Sequence, residues 1–269
     1  VDKANIIIFQ SFAEKIAIKA GAILVKERDK FIIKARKSDF LDIATTADFA
    51  SEEYLIREIK KNYPDHNIIS EEKGNLNVNS DFTWILDPLD GTKEYVRGTS
   101  MFNVSITLEY KKQIIVGITF KPITNELYKA SFGNGTYLNG KKIMVSKEEN
   151  LRRSMIATHL PHYNNSSKEI NITFKAIRKL CHSAYRIRAF YEDVAVLGWV
   201  AMGALEGFFI TVSGPKWWDV APGIIMVEES GGKITDIYGE KIINRDLSKG
   251  LVATNGKIHD KLIRIIHKK

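Results

Sequence analysis

The chain carries an apolar run, Trp84-Ile85-Leu86, that ends abruptly in Asp87-Pro88-Leu89-Asp90-Gly91-Thr92. Such a run predicts a buried strand, and a strand that stops at two carboxylates three residues apart delivers charged oxygens to one point in space. Oxygen-only ligands suit hard cations such as Mg²⁺. Gly91 and Thr92 then offer backbone N–H groups and a hydroxyl where a phosphate could sit, the more so if a helix starts there. Taken singly, Asp, Pro and Gly describe no more than a surface turn. The run gains weight only if other segments supply matching groups.

Three segments do. Ile68-Ile69-Ser70-Glu71-Glu72-Lys73-Gly74 is a second short apolar run ending in acids. Asp42-Ile43-Ala44-Thr45-Thr46-Ala47-Asp48 leads into an amphipathic helix, and Trp217-Trp218-Asp219-Val220-Ala221-Pro222-Gly223 opens another helical pattern. With Asp-Pro-Leu-Asp-Gly-Thr and Trp-Asp-Val-Ala-x-Gly in this order and at this separation, the sequence resembles the inositol monophosphatase family. These are the Mg²⁺- and Li⁺-responsive phosphatases related to fructose-1,6-bisphosphatase, and the similarity extends from residues 37–48 through Gly231-Gly232. The resemblance implies an α/β (α+β) fold, a layered αβαβα sandwich, and a homodimer.

It also implies a chemistry. Uncatalysed hydrolysis of a phosphate monoester is extremely slow. Two or three Mg²⁺ ions polarise the phosphoryl oxygens, lower the pKa of a water and shield the leaving oxygen, with Li⁺ inhibitory. In this reading Glu71, Asp87, Asp90 and Asp219 are the side-chain metal ligands and the Leu89 carbonyl is a backbone ligand. A kinked turn between Asp87 and Asp90, rigidified by Pro88, would let both clasp metals that a straight strand would splay apart. Glu71 matches the family's metal-bridging glutamate, and Glu72 is left as a solvated neighbour. Asp48 and Thr92 match the pair that orients the attacking water, so Asp48, Glu71 and Thr92 are the expected catalytic residues. Gly91 and Thr92 match the phosphate-binding backbone. Lys37 matches a basic residue beside the cluster, although in the charged run 34–37 it reads equally as a surface lysine. Asp219, opening a helix, also fits an N-terminal cap.

The rest of the sequence is compatible with such an enzyme. At 269 residues, 44% hydrophobic and 27% charged, the chain has the makeup of an ordinary globular protein. No Gly/Ser/Pro linker or repeat divides it, so a single catalytic domain over 1–269 is expected, with subregions of about 1–146 and 147–269 meeting near Lys147. The net charge of +8 suits an anionic partner, a small phosphorylated metabolite first, although the lysines are spread along the chain. Cys181 is the sole cysteine, which excludes an internal disulfide and fits a reducing compartment. It reads as a core thiol on a helix rather than a nucleophile. The first residues lack the charged, apolar, small-residue order of a signal peptide, so a cytoplasmic protein is expected. The apolar stretch 194–212 is split by Gly203, Glu206 and Gly207 and reads as a buried helix and a strand, not a membrane span.

Periodicity predicts helices over 4–27 and 49–62 in the first half. After the Trp84 strand, runs 104–110 and 114–120 form a hairpin, 127–132 adds a strand, and Asn139-Gly140 marks a tight turn. In the second half, strands are expected at 155–159, 208–212 and 251–254, with helices at 170–182, 193–204, 220–230 and from 258.

Substrate choice is less sharply written. In inositol-specific relatives a Gly-Ser/Thr-Ala stretch and a glutamate before Trp-Asp contact sugar hydroxyls. Here the corresponding regions read Ala189-Phe190-Tyr191-Glu192-Asp193-Val194 and Thr211-Val212-Ser213-Gly214-Pro215-Lys216. Polar contacts drive discrimination far more than apolar ones, so this departure bears on substrate. Thr92-Lys93-Glu94-Tyr95 looks like the 3′(2′),5′-bisphosphate nucleotidases, whereas Asn134-Gly135-Thr136-Tyr137-Leu138-Asn139-Gly140 looks like bacterial inositol monophosphatases. Inositol 1-phosphate is therefore ranked first and the bisphosphate nucleotide second. A role with RNA or the transcription machinery belongs to another class. The positive charge permits it, but no RNA-binding motif is present.

Overall fold

The structure is a computed structural model, and it describes residues 1–36, 43–190, 193–211 and 215–267. The chain divides into two compact units, Val1–Lys141 and Lys142–Lys269. Each is built on its own sheet.

The first unit begins with α1 (Lys3–Glu27), capped by the Asp2 carboxylate, which accepts from the Asn5 N–H at 2.9 Å. A short antiparallel pair, β1 (Ile33–Arg36) and β2 (Ile43–Thr45), leads into α2 (Thr46–Asn62). The main sheet contains β3 (Asn67–Ser70), β4 (Gly74–Leu76) and β5 (Phe82–Asp90). After the one-turn helix α3 (Thr92–Val96), the sheet continues with β6 (Asn103–Tyr110), β7 (Gln113–Lys121), β8 (Glu126–Ser131), β9 (Gly135–Leu138) and β10 (Lys141–Ile143). Its order is β10-β9-β8-β7-β6-β5-β3-β4. The expected hairpin is β6–β7; Lys111 and Lys112 both take positive φ, as a tight two-residue turn requires. Helices α1 and α2 pack together and cover this sheet. Ile16, Leu24, Leu55 and Ile59 meet Trp84, Leu86, Val104 and Ile118 in one buried cluster. Burying each such side chain is worth about 1.5–3 kcal/mol.

In the second unit, a single 3₁₀ turn (Leu151–Arg153) precedes β11 (Met155–Thr158). Then come α4 (Ser167–Cys181), β12 (Arg186–Ala189), α5 (Asp193–Ala201), β13 (Gly207–Ile210), α6 (Trp217–Glu229), β14 (Lys233–Thr235), β15 (Leu251–Thr254) and α7 (His259–His267). The sheet order is β12-β11-β13-β15-β14, with β11 parallel to both of its neighbours. Alternate strand residues face opposite ways. Ile156, Phe209 and Val252 join Leu180 and Leu262 on the α4/α7 side. Ala157, Phe208 and Ala253, equally buried, point to the side where α5 and α6 pack on the sheet. Those two helices approach closely at Gly223, where a Cβ would lie 2.5 Å from the Leu197 Cβ.

Three expectations are corrected. Cys181 is exposed rather than in the core. The buried face of α4 is Thr173, Ala176 and Leu180, and Cys181 is one residue, about 100° of helix, past it. The helix expected over 49–62 starts three residues earlier and takes in Asp48. Strands β12 and β14, at the two sheet edges, had no expected counterpart. Among the described residues no helix is long and apolar enough to cross a membrane.

Candidate metal and phosphate site

Strands β3 and β5 run parallel with Ser70 beside Leu86, and the Glu71 N–H extends the pairing by donating to the Leu86 carbonyl at 3.3 Å. Glu71 therefore emerges next to Asp87, where the parallel pairing of β3 with β5 ends.

Between Asp87 and Asp90 the ladder with β6 slips. Asp87 pairs with Ser105 and Asp90 with Asn103, so three steps on β5 oppose two on β6. This is a β-bulge, and it replaces the expected turn: the strand bends and twists but does not reverse. Pro88 lies within the bulge, one of the few places a sheet interior tolerates it. The bend is tied down on both sides. The Ser51 hydroxyl donates to the Pro88 carbonyl at 2.8 Å, and the Leu89 N–H donates to Asp87 Oδ1 at 3.1 Å. The Asn103 amide donates to Asp90 Oδ2 at 2.8 Å, while Asn103 Oδ1 accepts from the Ser105 hydroxyl at 3.0 Å.

Asp48 is the third residue of α2 and closes a capping box with Thr45. The N–H and hydroxyl of Thr45 donate to Asp48 Oδ2 at 2.8 and 2.5 Å. Thr92 Oγ1 lies 2.9 Å from Asp48 Oδ1 and 3.0 Å from the Leu89 carbonyl, so its single proton has two acceptors. Burial pushes the Asp48 carboxyl above the usual carboxylate range, and the hydrogen bonds from Thr45 and Thr92 only partly offset it. Thr92 begins α3 directly after Gly91, whose φ of 87° lies in the left-handed region. A Cβ on Gly91 would sit 2.6 Å from the Met101 carbonyl oxygen.

Glu52, Ser51 and Asn103 escaped sequence reasoning. Glu52 is fully buried; its Oε1 accepts from the Ser70 hydroxyl and from the N–H groups of Glu72 and Lys73 at 3.1 and 3.0 Å. It thus shapes the turn that carries Glu71. Glu52 and Ser51 did leave a signal, polar residues on the apolar face of α2 beside Asp48 and Leu55. Asn103 left none, because only the strand register sets it opposite Asp90.

Lys37 lies outside the described residues, as do 191–192 and 212–214 of the substrate regions. In the second unit, Asp219 is the third residue of α6 and reaches back to accept from the Lys216 N–H at 2.6 Å. The carboxyl ends of β11 and β12 lead into His159 and Phe190, and His159 Nδ1 stands 3.8 Å from Asp193 Oδ1, both side chains buried or nearly so.

No three acidic, His or Cys side chains among the described residues converge as a preformed metal group. The donor chemistry nonetheless fits a divalent cation. Glu71, Asp87 and Asp90 are neighbours along one sheet edge and offer only hard oxygen donors.

The inositol monophosphatase family model matches residues 8–269. The chain is 34% identical over 233 residues to Nus factor SuhB of Pasteurella multocida, covering 85% of each protein. It is 30% identical over 260 residues to the fructose-1,6-bisphosphatase/inositol-1-monophosphatase of Thermotoga maritima, covering 95% of this chain and 94% of that one. Among solved structures, the extragenic suppressor protein suhB from Bartonella henselae superposes with a TM-score of 0.89 at 31% identity, over 97% of this chain and 99% of that one.

Proposed function

Because the chain belongs to the inositol monophosphatase family, we propose that it is a Mg²⁺-dependent phosphatase of a small phosphate monoester, inositol 1-phosphate first. The observation that supports this reading is the parallel pairing that sets Glu71 beside Asp87, with Asp90 just past the bulge and Thr92 hydrogen-bonded to Asp48. Glu71, Asp87, Asp90 and Asp219 would hold two or three ions together with the Leu89 carbonyl. Bound there, the ions supply Lewis-acid stabilisation of phosphoryl charge and lower the pKa of water.

The chain's own residues do the rest. When the Thr92 hydroxyl donates its hydrogen bond to Asp48 Oδ1, its lone pairs are left to accept from a water and fix its direction of attack. Asp48, buried and with raised proton affinity, is the local acceptor for the proton that water loses. Thr45 holds the opposite oxygen of Asp48, so the carboxylate cannot rotate away. The backbone of Gly91 and Thr92 offers N–H groups to the phosphate.

The test is phosphate release from inositol 1-phosphate, adenosine 3′,5′-bisphosphate, fructose 1,6-bisphosphate and histidinol phosphate, with and without Mg²⁺ and Li⁺. Turnover of inositol 1-phosphate that needs Mg²⁺ and is inhibited by Li⁺ is expected; no release from any substrate overturns the reading. Fastest turnover of the adenosine compound would instead select the nucleotidase. We extend the proposal to a homodimer, which sedimentation of the purified chain tests, and to a cytoplasmic location, which fractionation of cells tests.

A second reading, association with the transcription machinery, is favoured by the Nus factor name of the Pasteurella relative and by the net charge of +8. RNA binding retained in Asp90→Asn would mark that role as separate from the phosphatase.

A further inference from the structure

The second unit carries an open cavity, largely apolar but with three cations in its lining, that the phosphatase reading leaves unused. It measures about 590 Å³ and is lined by Leu151, Arg152, His182, Lys261, Arg264 and Ile265. These come from the 3₁₀ turn before β11, the residue that ends α4, and α7.

Its place in the sheet sets it apart from the residues of the proposed chemistry. Strands β11, β12 and β13 run parallel. Arg152 and His182 precede the first residues of β11 and β12, so the cavity lies at the amino ends of these strands. His159 and Phe190 follow the opposite, carboxyl ends, and Asp219 comes after the carboxyl end of β13. The cavity shares no lining residue with either set.

Charge then narrows what it holds. Among the described residues, none of Arg152, Lys261 and Arg264 is paired with a carboxylate. Lys261 Nζ donates to the Glu149 carbonyl at 2.9 Å, and Arg264 Nε donates to the Asp260 carbonyl at 3.2 Å. The carboxylates of those two residues are engaged by other cations, Glu149 by Lys257 and Asp260 by Lys233, each at 3.3 Å. The bland alternative is that the cations serve the carbonyl end of α4. That end is worth only about half a negative charge, against three full positive ones. A surplus remains, and guanidinium groups favour planar, two-point contacts with phosphate oxygens. Size narrows it further. Cavities of about 300–1,000 Å³ hold whole small molecules, and inorganic phosphate alone would leave this one largely empty. The apolar side chains of Leu151 and Ile265 give the remainder of a ligand something to pack on.

We propose that this cavity is a binding site for a small phosphorylated metabolite bearing at least two negative charges and a compact organic body, separate from the substrate site. Isothermal titration of the full chain in EDTA, which prevents metal-dependent turnover, tests it with adenosine 5′-monophosphate and pyrophosphate as probes. The monophosphate is expected to bind wild type and Asp90→Asn alike, and at least tenfold more weakly to Arg152→Gln/Arg264→Gln. Adenosine should bind at least tenfold more weakly than its monophosphate, and raising the salt should weaken the monophosphate. Circular dichroism checks that the double variant is folded; should it not be, the single variant Arg152→Gln gives the same comparison. Four results would each overturn the proposal: neither probe binding at millimolar concentration, equal binding by the folded variant, equal binding of adenosine, or loss of binding in Asp90→Asn. Displacement of the monophosphate by a tighter-binding single-stranded RNA would also overturn it, assigning the cavity to a macromolecule.

Discussion

Replacing Asn103 by alanine tests whether Asp90 works because it is present or because it is held. Asn103 is fully buried, and its amide donates to Asp90 Oδ2 at 2.8 Å. The other end of the amide is fixed by the Ser105 hydroxyl at 3.0 Å, and Ser105 lies 3.4 Å from the Thr119 hydroxyl. A hydrogen bond to a charged acceptor contributes about 1.5–3 kcal/mol. At about 1.4 kcal/mol per tenfold, that is roughly 10- to 100-fold in cation affinity. Outer-shell partners of metal ligands elsewhere cost about the same when removed. The substitution also takes from the buried Ser105 hydroxyl its 3.0 Å acceptor and leaves it the longer 3.4 Å contact with Thr119, a stability loss of about 1–3 kcal/mol. Initial rates of phosphate release, measured against Mg²⁺ at saturating substrate, separate the two effects. The Mg²⁺ concentration for half-maximal rate should rise about 10- to 100-fold, while the rate at saturating Mg²⁺ recovers most of the wild-type value. Asn103→Asp fills the same space but sets a carboxylate against Asp90, and should be worse than alanine. A folded Asn103→Ala enzyme with an unchanged Mg²⁺ requirement would show that Asp90 needs no support from Asn103.

Gly91→Ala forces a Cβ into a left-handed backbone and against the Met101 carbonyl. It should cost at least about 1–3 kcal/mol and displace Thr92, seen as a lower urea midpoint and lost phosphate release. Glu52→Ala strips the acceptor from three donors of the Ser70–Lys73 turn and should destabilise by about 2–4 kcal/mol in urea unfolding, with Glu52→Gln milder because Oε1 remains. Asp219→Asn keeps an oxygen for the Lys216 N–H, so it should cost less than about 1 kcal/mol yet abolish phosphate release; a near-normal rate would remove Asp219 from the site. His259 is buried between the hydroxyls of Thr235 and Thr254, and burial, with a smaller effect from Lys233, pushes its pKa down to about 4. Thr235 already donates to the Asp236 carbonyl, so it accepts from Nε2–H, and Nδ1 accepts from Thr254. The unfolded chain takes up this proton near pH 6.5 and the folded one does not. Stability from this group is therefore intact above pH 6.5 and falls by about 3 kcal/mol as pH drops to 4; His259→Gln should flatten that part of a pH series of urea midpoints.

What the sequence made legible follows how local each signal is. The β6–β7 hairpin and helices α1 and α7 are written in patterns a few residues long, and so is the acid-bearing end of β5. Strand β12 is Arg186-Ile187-Arg188-Ala189, mostly exposed at a sheet edge, and its pairing to β11 makes it a strand where no apolar alternation does. The start of α2 was written locally, in Thr45-x-x-Asp48, but a capping box built on Asp is easily taken for the chain before the helix. Cys181 shows how sharp the limit is, since one residue's rotation from Leu180 carries it out of the core. The same division runs through the site. Glu71, Asp87, Asp90 and Thr92 sit in short motifs, because each needs only its own strand end to be aimed. Asn103, Ser51 and Glu52 act on those motifs from other elements, across separations of 13, 37 and about 20 residues, and only the folded register brings them there. Residues of the second kind hold the first in place, so substitutions there should change cation affinity before they change the chemistry, as Asn103→Ala is designed to reveal.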